Sequence, residues 1–365
     1  MPRPLLARIH LDALRHNLAR VRDLAPASKV LAVIKANAYG HGMETCALAL
    51  DSDGYAMLSL DEARTLRELG VTKPLLLLEG FFSADDLKGL RETRATPVIH
   101  HAEQLRMLEM SDLPPPARIF LKVDTGMHRL GFAPGDAADA LRRLQAIAGM
   151  GEIVLMTHYA CADEAGGARE AMSRLQELRG WQAELAILPS SYGNSAAILA
   201  AQTFGPGHAV MVGDWVRPGL MLYGASPVAG ASAASLGLRP VMQLTSRLIA
   251  VREVAAGEGI GYGATFRSAV PIRIGIVACG YADGYPRHAP TGTPVVVDGR
   301  ITRLLGRVSM DMLCVDLSGI PDAGVGMPVE LFGPALPVDE IALAAGTIPY
   351  EILTGIARRV PQELV

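Results

Sequence analysis

Val30-Leu31-Ala32-Val33-Ile34-Lys35-Ala36-Asn37-Ala38-Tyr39-Gly40-His41-Gly42 is an apolar run that ends in a lysine and passes into small residues, a tyrosine and two glycines. A lysine at the end of a buried run loses hydration, which lowers the cost of its neutral form. A neutral amine can attack an aldehyde and form a Schiff base. The glycines allow backbone to approach a ligand closely. A surface lysine that merely caps a strand would carry the same local sequence.

Moving outward, the run proves to be one of a series. Short apolar stretches recur at Val30–Ile34, Gly54–Leu60, Lys73–Leu78, Thr96–Ile99, Arg118–Val123, Ile153–Thr157 and Glu184–Pro189, with a shorter eighth at Asp214–Arg217. Between them lie segments with helical spacing at 60–69, 102–110, 136–147 and 169–178. Before the series, 6–10 alternates weakly, as a short strand would, and a helical pattern through Leu11, Leu14 and Leu18 follows. Eight runs alternating with helices indicate parallel β/α units. Closure into a (β/α)8 TIM-like barrel satisfies the count; an open doubly wound sheet satisfies the same periodicity. Polar residues interrupt the pattern at the carboxyl ends of the runs: Lys35, Glu79, His100, Lys122, Asp124, Arg129, His158, Tyr192, Asn194, Ser195 and Arg217. A barrel puts its site there.

Residues 225–238 are mostly small, with no periodic face, as in a linker. Beyond them the texture turns to strands at 241–254, 272–278, 293–297, 300–305, 312–317 and 328–332, with an Asp-Gly hairpin signal at Val297-Asp298-Gly299-Arg300. One helical pattern, 338–345, follows. The chain therefore divides into a barrel, residues 1–234, and a mainly β domain, residues 235–365. That division suits the 365-residue length, and half of the residues are hydrophobic, enough for large cores.

Composition narrows the function classes. No apolar run is long enough for a membrane span. The amino terminus lacks a signal-peptide core, so a cytoplasmic protein is expected. The net charge of −3, with no basic block, gives no sign of nucleic-acid binding. Cys46, Cys161, Cys279 and Cys314 form no C-x-x-C pair, which argues against zinc or thioredoxin chemistry; free buried thiols are expected, and no metal site.

The Lys35 segment closely resembles the cofactor-lysine motif of the alanine racemases, which use pyridoxal phosphate. Other segments match that family in order along nearly the whole chain. The resemblance implies that Lys35 carries the cofactor through a Schiff base and serves as the base on the D-alanine side. In Leu121-Lys122-Val123-Asp124-Thr125-Gly126-Met127-His128-Arg129, it assigns Arg129 to the substrate carboxylate and the cofactor's phenolic oxygen. The residues alone equally allow Arg129 to be paired with Asp124. The counterpart of Lys122 is carbamylated in some members. His128 stands where the family commonly has a small residue.

Thr157-His158-Tyr159-Ala160 matches the segment whose imidazole stacks on the pyridine ring. Asn194-Ser195 opens a helix, so Ser195 reads as an N-cap and as a phosphate ligand together. Tyr39, Asn194, Ser195, Gly219, Leu220 and Tyr350 are the implied cofactor grip, and Arg217 meets the pyridine nitrogen. An arginine remains protonated and leaves that nitrogen neutral, so a Cα carbanion is less delocalised and is quickly reprotonated.

Gly259-Ile260-Gly261-Tyr262-Gly263 matches the segment that carries the second base, here Tyr262, on the L-alanine side. Racemisation needs proton exchange on both faces of Cα, and a lone lysine would mostly return the proton to its own face. A tyrosine with a pKa of about 10 needs nearby positive charge to act as a base. Tyr281 and Met310 match residues that wall the substrate pocket. In the family, Tyr262, Tyr281 and Met310 serve the opposite subunit, which implies a homodimer with shared sites.

The expected activity is interconversion of L- and D-alanine, either to supply D-alanine for peptidoglycan or in alanine catabolism. Three alternatives use a related fold: a racemase for serine or lysine, a non-catalytic pyridoxal phosphate carrier, and a decarboxylase with a second-domain cysteine.

Overall fold

In the computed structural model, which describes residues 3–181 and 183–365, eight parallel strands form the first sheet. They are Lys29–Val33, Gly54–Met57, Leu75–Leu77, Thr96–Ile99, Arg118–Lys122, Glu152–Met156, Ser190–Ser191 and Trp215–Val216. Sequential strands are neighbours, and the last pairs with the first through Lys29–Trp215 and Val30–Val216. Most strand residues are buried, as expected where both faces of a sheet are covered. The seam between the seventh and eighth strands is held without a ladder. Ser191 Oγ donates to Trp215 O (2.8 Å), and Arg217 N–H donates to Gly193 O (2.8 Å). The (β/α)8 expectation holds, with the barrel closed through these bonds.

The helices follow their apolar stripes. Leu60–Glu68 begins at Ser59, whose Oγ accepts the Glu62 amide while Glu62 accepts the Ser59 amide, a reciprocal cap. Helices at Ala102–Glu109, Ala137–Ala146 and Arg169–Trp181 agree with the spacing. The seventh run is a correction. Residues 183–186 are helical, and the strand lies at Ser190–Ser191. Leu185 is buried against the barrel while Ile187 is exposed, and a run this short does not separate helix from strand.

The second sheet takes in Met242–Val254, Ile272–Val277, Pro294–Val297, Arg300–Leu305, Leu313–Asp316 and Pro328–Phe332. Asp298 and Gly299 both have positive φ (49° and 75°), which is the geometry of a two-residue hairpin turn. Leu6–Ile9 joins this sheet too. It pairs antiparallel with Met242–Thr245 and parallel with Gln362–Leu364, so the chain's first strand lies outside the barrel. Residues 225–238 are not a loose tether: Ala233, Leu236 and Leu238 are buried, and the Ser226 amide donates to Asp339. Cys46, Cys279 and Cys314 are buried, whereas Cys161 is exposed, contrary to the expectation for all four.

Candidate active site

A cavity of about 940 Å³ opens at the carboxyl ends of the barrel strands. Lys35, Tyr39, Lys122, Arg129, His158 and Arg217 line it, as do Asn194, Ser195, Gly219, Leu220 and Tyr350. These are all of the barrel residues to which the resemblance gave a cofactor or substrate role, together with Tyr350 from the short helix Pro349–Thr354, whereas Asp124 and Tyr192, also named at the strand ends, lie outside the wall. Glu79 and His100, strand-end residues to which no role was given, lie in the same wall. Phe82, Leu130 and Ile348 also line it; as isolated apolar residues in loops they carried no sequence signal. Tyr262, Tyr281 and Met310 are absent from this wall and stand exposed on the second domain (68%, 38% and 53%).

Lys35 follows the strand Lys29–Val33, and the backbone after it is unusual. Ala36, Asn37, Ala38 and Tyr39 all have φ between 52° and 55°. Together they form one turn of left-handed helix, at a cost of about 1–2 kcal/mol per non-glycine residue. Nothing in the side-chain pattern announces such a turn. The glycines serve it rather than a ligand. A Cβ on Gly40 would lie 2.2 Å from Leu353 O, so Gly40 lets the turn abut the helix that carries Tyr350.

The site is crowded with cations. Burial first, then Arg129, lowers the Lys35 pKa, against the pull of Glu79 and Glu62. Lys122 falls to about 8, through burial and then through Arg217 and Arg129. Burial, with Arg217, Lys122, Arg129 and Lys35 adding, brings His158 to about 3, so its ring is neutral at physiological pH. Arg217 is buried and lowered to about 10, and it stays charged. Its bonds run to neutral acceptors, Ser191 Oγ and Thr157 O (2.7 Å to the latter), rather than to a carboxylate. Nor is Arg129 paired with Asp124. That carboxylate accepts the Gly126 and His128 amides (2.9 and 3.1 Å) and faces His128 Nδ1 at 3.2 Å. His128 has φ +53°, a conformation that glycine adopts most readily and that histidine reaches more often than most side chains.

At the other end of the cavity the groups are neutral donors. Asn194, not Ser195, is the N-cap: its Oδ1 accepts the Ala197 amide, and Nδ2 donates to Tyr159 O. This frees Ser195, buried in the first turn of Ser195–Phe204, to accept the Gly219 amide at 2.9 Å. The Gly219 N–H is thus already engaged, and Leu220 supplies the first amide of the turn Leu220–Tyr223. A Cβ on Gly219 would sit 2.4 Å from the Tyr39 hydroxyl. Burial raises the Tyr39 phenol, and burial and then Asp163 raise Tyr350 to about 12, so both hydroxyls remain donors.

No thiol lines the cavity. Cys279 and Cys314 are buried in the second domain with their pKa values raised by burial, Cys314 to about 11. Among the described residues no cluster of three metal-ligating side chains occurs, and no helix is long and apolar enough to cross a membrane.

Comparison with known proteins bears on the whole chain. Residues 9–227 match the family model "Alanine racemase, N-terminal domain", and residues 241–364 match "Alanine racemase, C-terminal domain". An alanine racemase from Nitrosospira multiformis is 52% identical over 360 residues, covering 98% of this chain and 99% of that protein. One from Thiobacillus denitrificans is 53% identical over 364 residues, covering 100% and 96%. Among solved structures, the biosynthetic alanine racemase of Pseudomonas aeruginosa superposes with a TM-score of 0.93 at 46% identity, covering 100% of this chain and 99% of that one. The alanine racemase of Bartonella henselae, solved with covalently bound pyridoxal phosphate, gives 0.86 at 25% identity with full coverage of both chains.

Proposed function

The chain belongs to the alanine racemase family, and on that premise we propose that it works with pyridoxal phosphate on Lys35 and with two bases drawn from two copies of the chain. It is an isomerase that interconverts L- and D-alanine.

The cavity fits the cofactor. A strand-end amine is driven toward its neutral form, as covalent attachment requires. The space above Gly219 is too narrow even for a methyl group, as a close-fitting cradle would be. Lys35 would hold the cofactor's aldehyde carbon. Tyr39, Ser195, the Leu220 amide and Tyr350 would hold the phosphate, braced by Asn194 and Gly219. The neutral His158 ring would lie against the pyridine and Arg217 would face its nitrogen. Bound in this way, the cofactor supplies an electron sink that acidifies the amino acid's Cα proton.

The remaining steps belong to the protein. Arg129, exposed in the cavity and free of Asp124, receives the substrate carboxylate. Arg217 has no carboxylate partner and stays cationic, which leaves it unable to protonate fully a ring nitrogen beside it. The Lys35 amine, freed by the substrate, takes or returns the proton on the D-alanine side. On the L-alanine side that task falls to Tyr262 of a second copy. One observation carries this division. Tyr262, Tyr281 and Met310 are exposed and lie outside their own chain's cavity, so one chain alone has a base on only one face. The Arg307 guanidinium lies 3.2 Å from where a Cβ on Gly263, the residue after Tyr262, would sit.

The test is L-alanine in deuterium oxide, with wild type and Tyr262→Phe side by side and the cofactor's visible band monitored in both. Deuterated D-alanine from wild type, with turnover lost and the band kept in the variant, is the expected result. A wild type that holds the cofactor without exchanging the Cα proton would refute the mechanism.

A further inference from the structure

His41 is fully buried and does not line the cavity. Its Nδ1 lies 3.0 Å from Ala38 O and 2.9 Å from Tyr39 O, the last two carbonyls of the left-handed turn. Two acceptors on one nitrogen require a proton there, which leaves Nε2 bare; Nε2 is buried with no partner. The ring is therefore held neutral, in one tautomer. Its face stacks on Tyr223 (centroids 4.6 Å apart, 28°), and Tyr223 stacks on Tyr39 (4.7 Å, 28°). Tyr350 follows at 5.8 Å from Tyr39. The Tyr223 hydroxyl donates to Val33 O, which pins the column to the strand that leads to Lys35. Four rings thus run from the core to the two hydroxyls assigned to the phosphate.

We propose that His41 is the positioning residue of the phosphate cradle: its Nδ1–H ties off the left-handed turn, and its ring backs the column that aims the Tyr39 and Tyr350 hydroxyls. The inference rests on the cofactor reading above. It also accounts for the choice of residue. Phenylalanine would fill the stack but leave the buried Tyr39 carbonyl without its donor, while Ala38 O would keep only the backbone N–H of residue 41 (3.1 Å). Asparagine would donate but would not stack. A neutral imidazole does both, and burial of the ring holds it neutral by pressing its pKa to about 4.

A residue that aims only the phosphate grip should affect pyridoxal phosphate and spare pyridoxal, which lacks the phosphate. A residue that merely supports the fold should affect both equally. Equilibrium binding of each compound to the full chain is therefore compared for wild type and His41→Phe, with the visible absorbance of the bound compound as readout. The expected result is at least a tenfold loss of affinity for pyridoxal phosphate and less than a twofold change for pyridoxal. If His41→Phe does not fold, His41→Asn, which keeps a donor and loses the ring, is held to the same criterion. Full retention of the wild-type preference for the phosphorylated compound, or equal losses for both compounds, overturns the role of His41 alone. A wild type that shows no such preference overturns the cradle, and the role of His41 with it.

Discussion

Two histidines held neutral in the interior make the enzyme's stability depend on acid in a calculable way. His41 and His158 have pKa values of about 4 and about 3, in both cases chiefly through burial. An unfolded histidine titrates near ~6.5, so between that value and the folded pKa the unfolded chain binds protons that the folded chain refuses. Stability therefore falls as the pH drops below about 6.5 and continues to fall to about pH 4 for His41 and about pH 3 for His158. At about pH 5 each ring takes up roughly 0.9 to 1 proton on unfolding, or about 1.8 for the pair. Integrated from about pH 7.5 to about pH 5, this is about 2 kcal/mol per histidine. The perturbation is His41→Phe, and the assay is proton uptake on unfolding in weakly buffered urea at about pH 5. The variant should take up about 0.9 fewer protons than wild type, and its stability should lose about 2 kcal/mol less over the same pH interval. Equal proton uptake by the two proteins would show that His41 is charged or exposed in the folded enzyme, and the argument for its fixed tautomer would fail.

A mixture of Lys35→Ala and Tyr262→Phe chains, each inactive alone, should regain activity on subunit exchange. Random reassortment gives half heterodimers with one intact site of two, so recovery should approach about a quarter of wild type; no recovery would contradict a site built from two copies. Lys122, with a pKa of about 8, is about one-quarter neutral near pH 7.5, and a neutral amine is the form that takes up carbon dioxide. Labelled bicarbonate should therefore give a carbamate carbonyl resonance that is lost in Lys122→Arg, and its absence from wild type would exclude the modification.

The strand-end rhythm was legible because buried parallel strands need continuous apolar runs and their polar residues can gather only at the ends. That is how Lys35, Lys122, His158 and Arg217 fall into one group in the sequence itself. The seventh strand was not legible. Ser190–Ser191 carries no apolar signal, and its neighbours at 183–186 turn helical under packing from the barrel. Nor was the left-handed turn, since Ala36 and Ala38 have side chains that ordinarily favour the right-handed form. The role of Asn194 as N-cap, which releases Ser195, depends on a one-residue placement that propensity does not resolve. The membership of Leu6–Ile9 in the second sheet depends on partners more than 230 residues away.

The shape of the fold supports the proposal that a second copy completes the site. In a barrel the functional loops rise from one end, so their side chains reach a flat ligand mostly from beneath. Lys35, Arg129, His158 and Arg217 all arrive from the strand ends, and Tyr350 adds a lateral contact from the short helix packed against the Lys35 turn. Inversion at Cα nevertheless requires a base on the opposite face, and a solvent-exposed face would exchange its proton with water rather than with a fixed group. The chain's own Tyr262 stands outside its own cavity, exposed. The exposed Tyr262 of one copy, docked at the barrel mouth of another, would bring the two bases to opposite faces, and the same contact would exclude water from both. On this reading, assembly supplies the half of the reaction geometry that the barrel topology denies to the single chain.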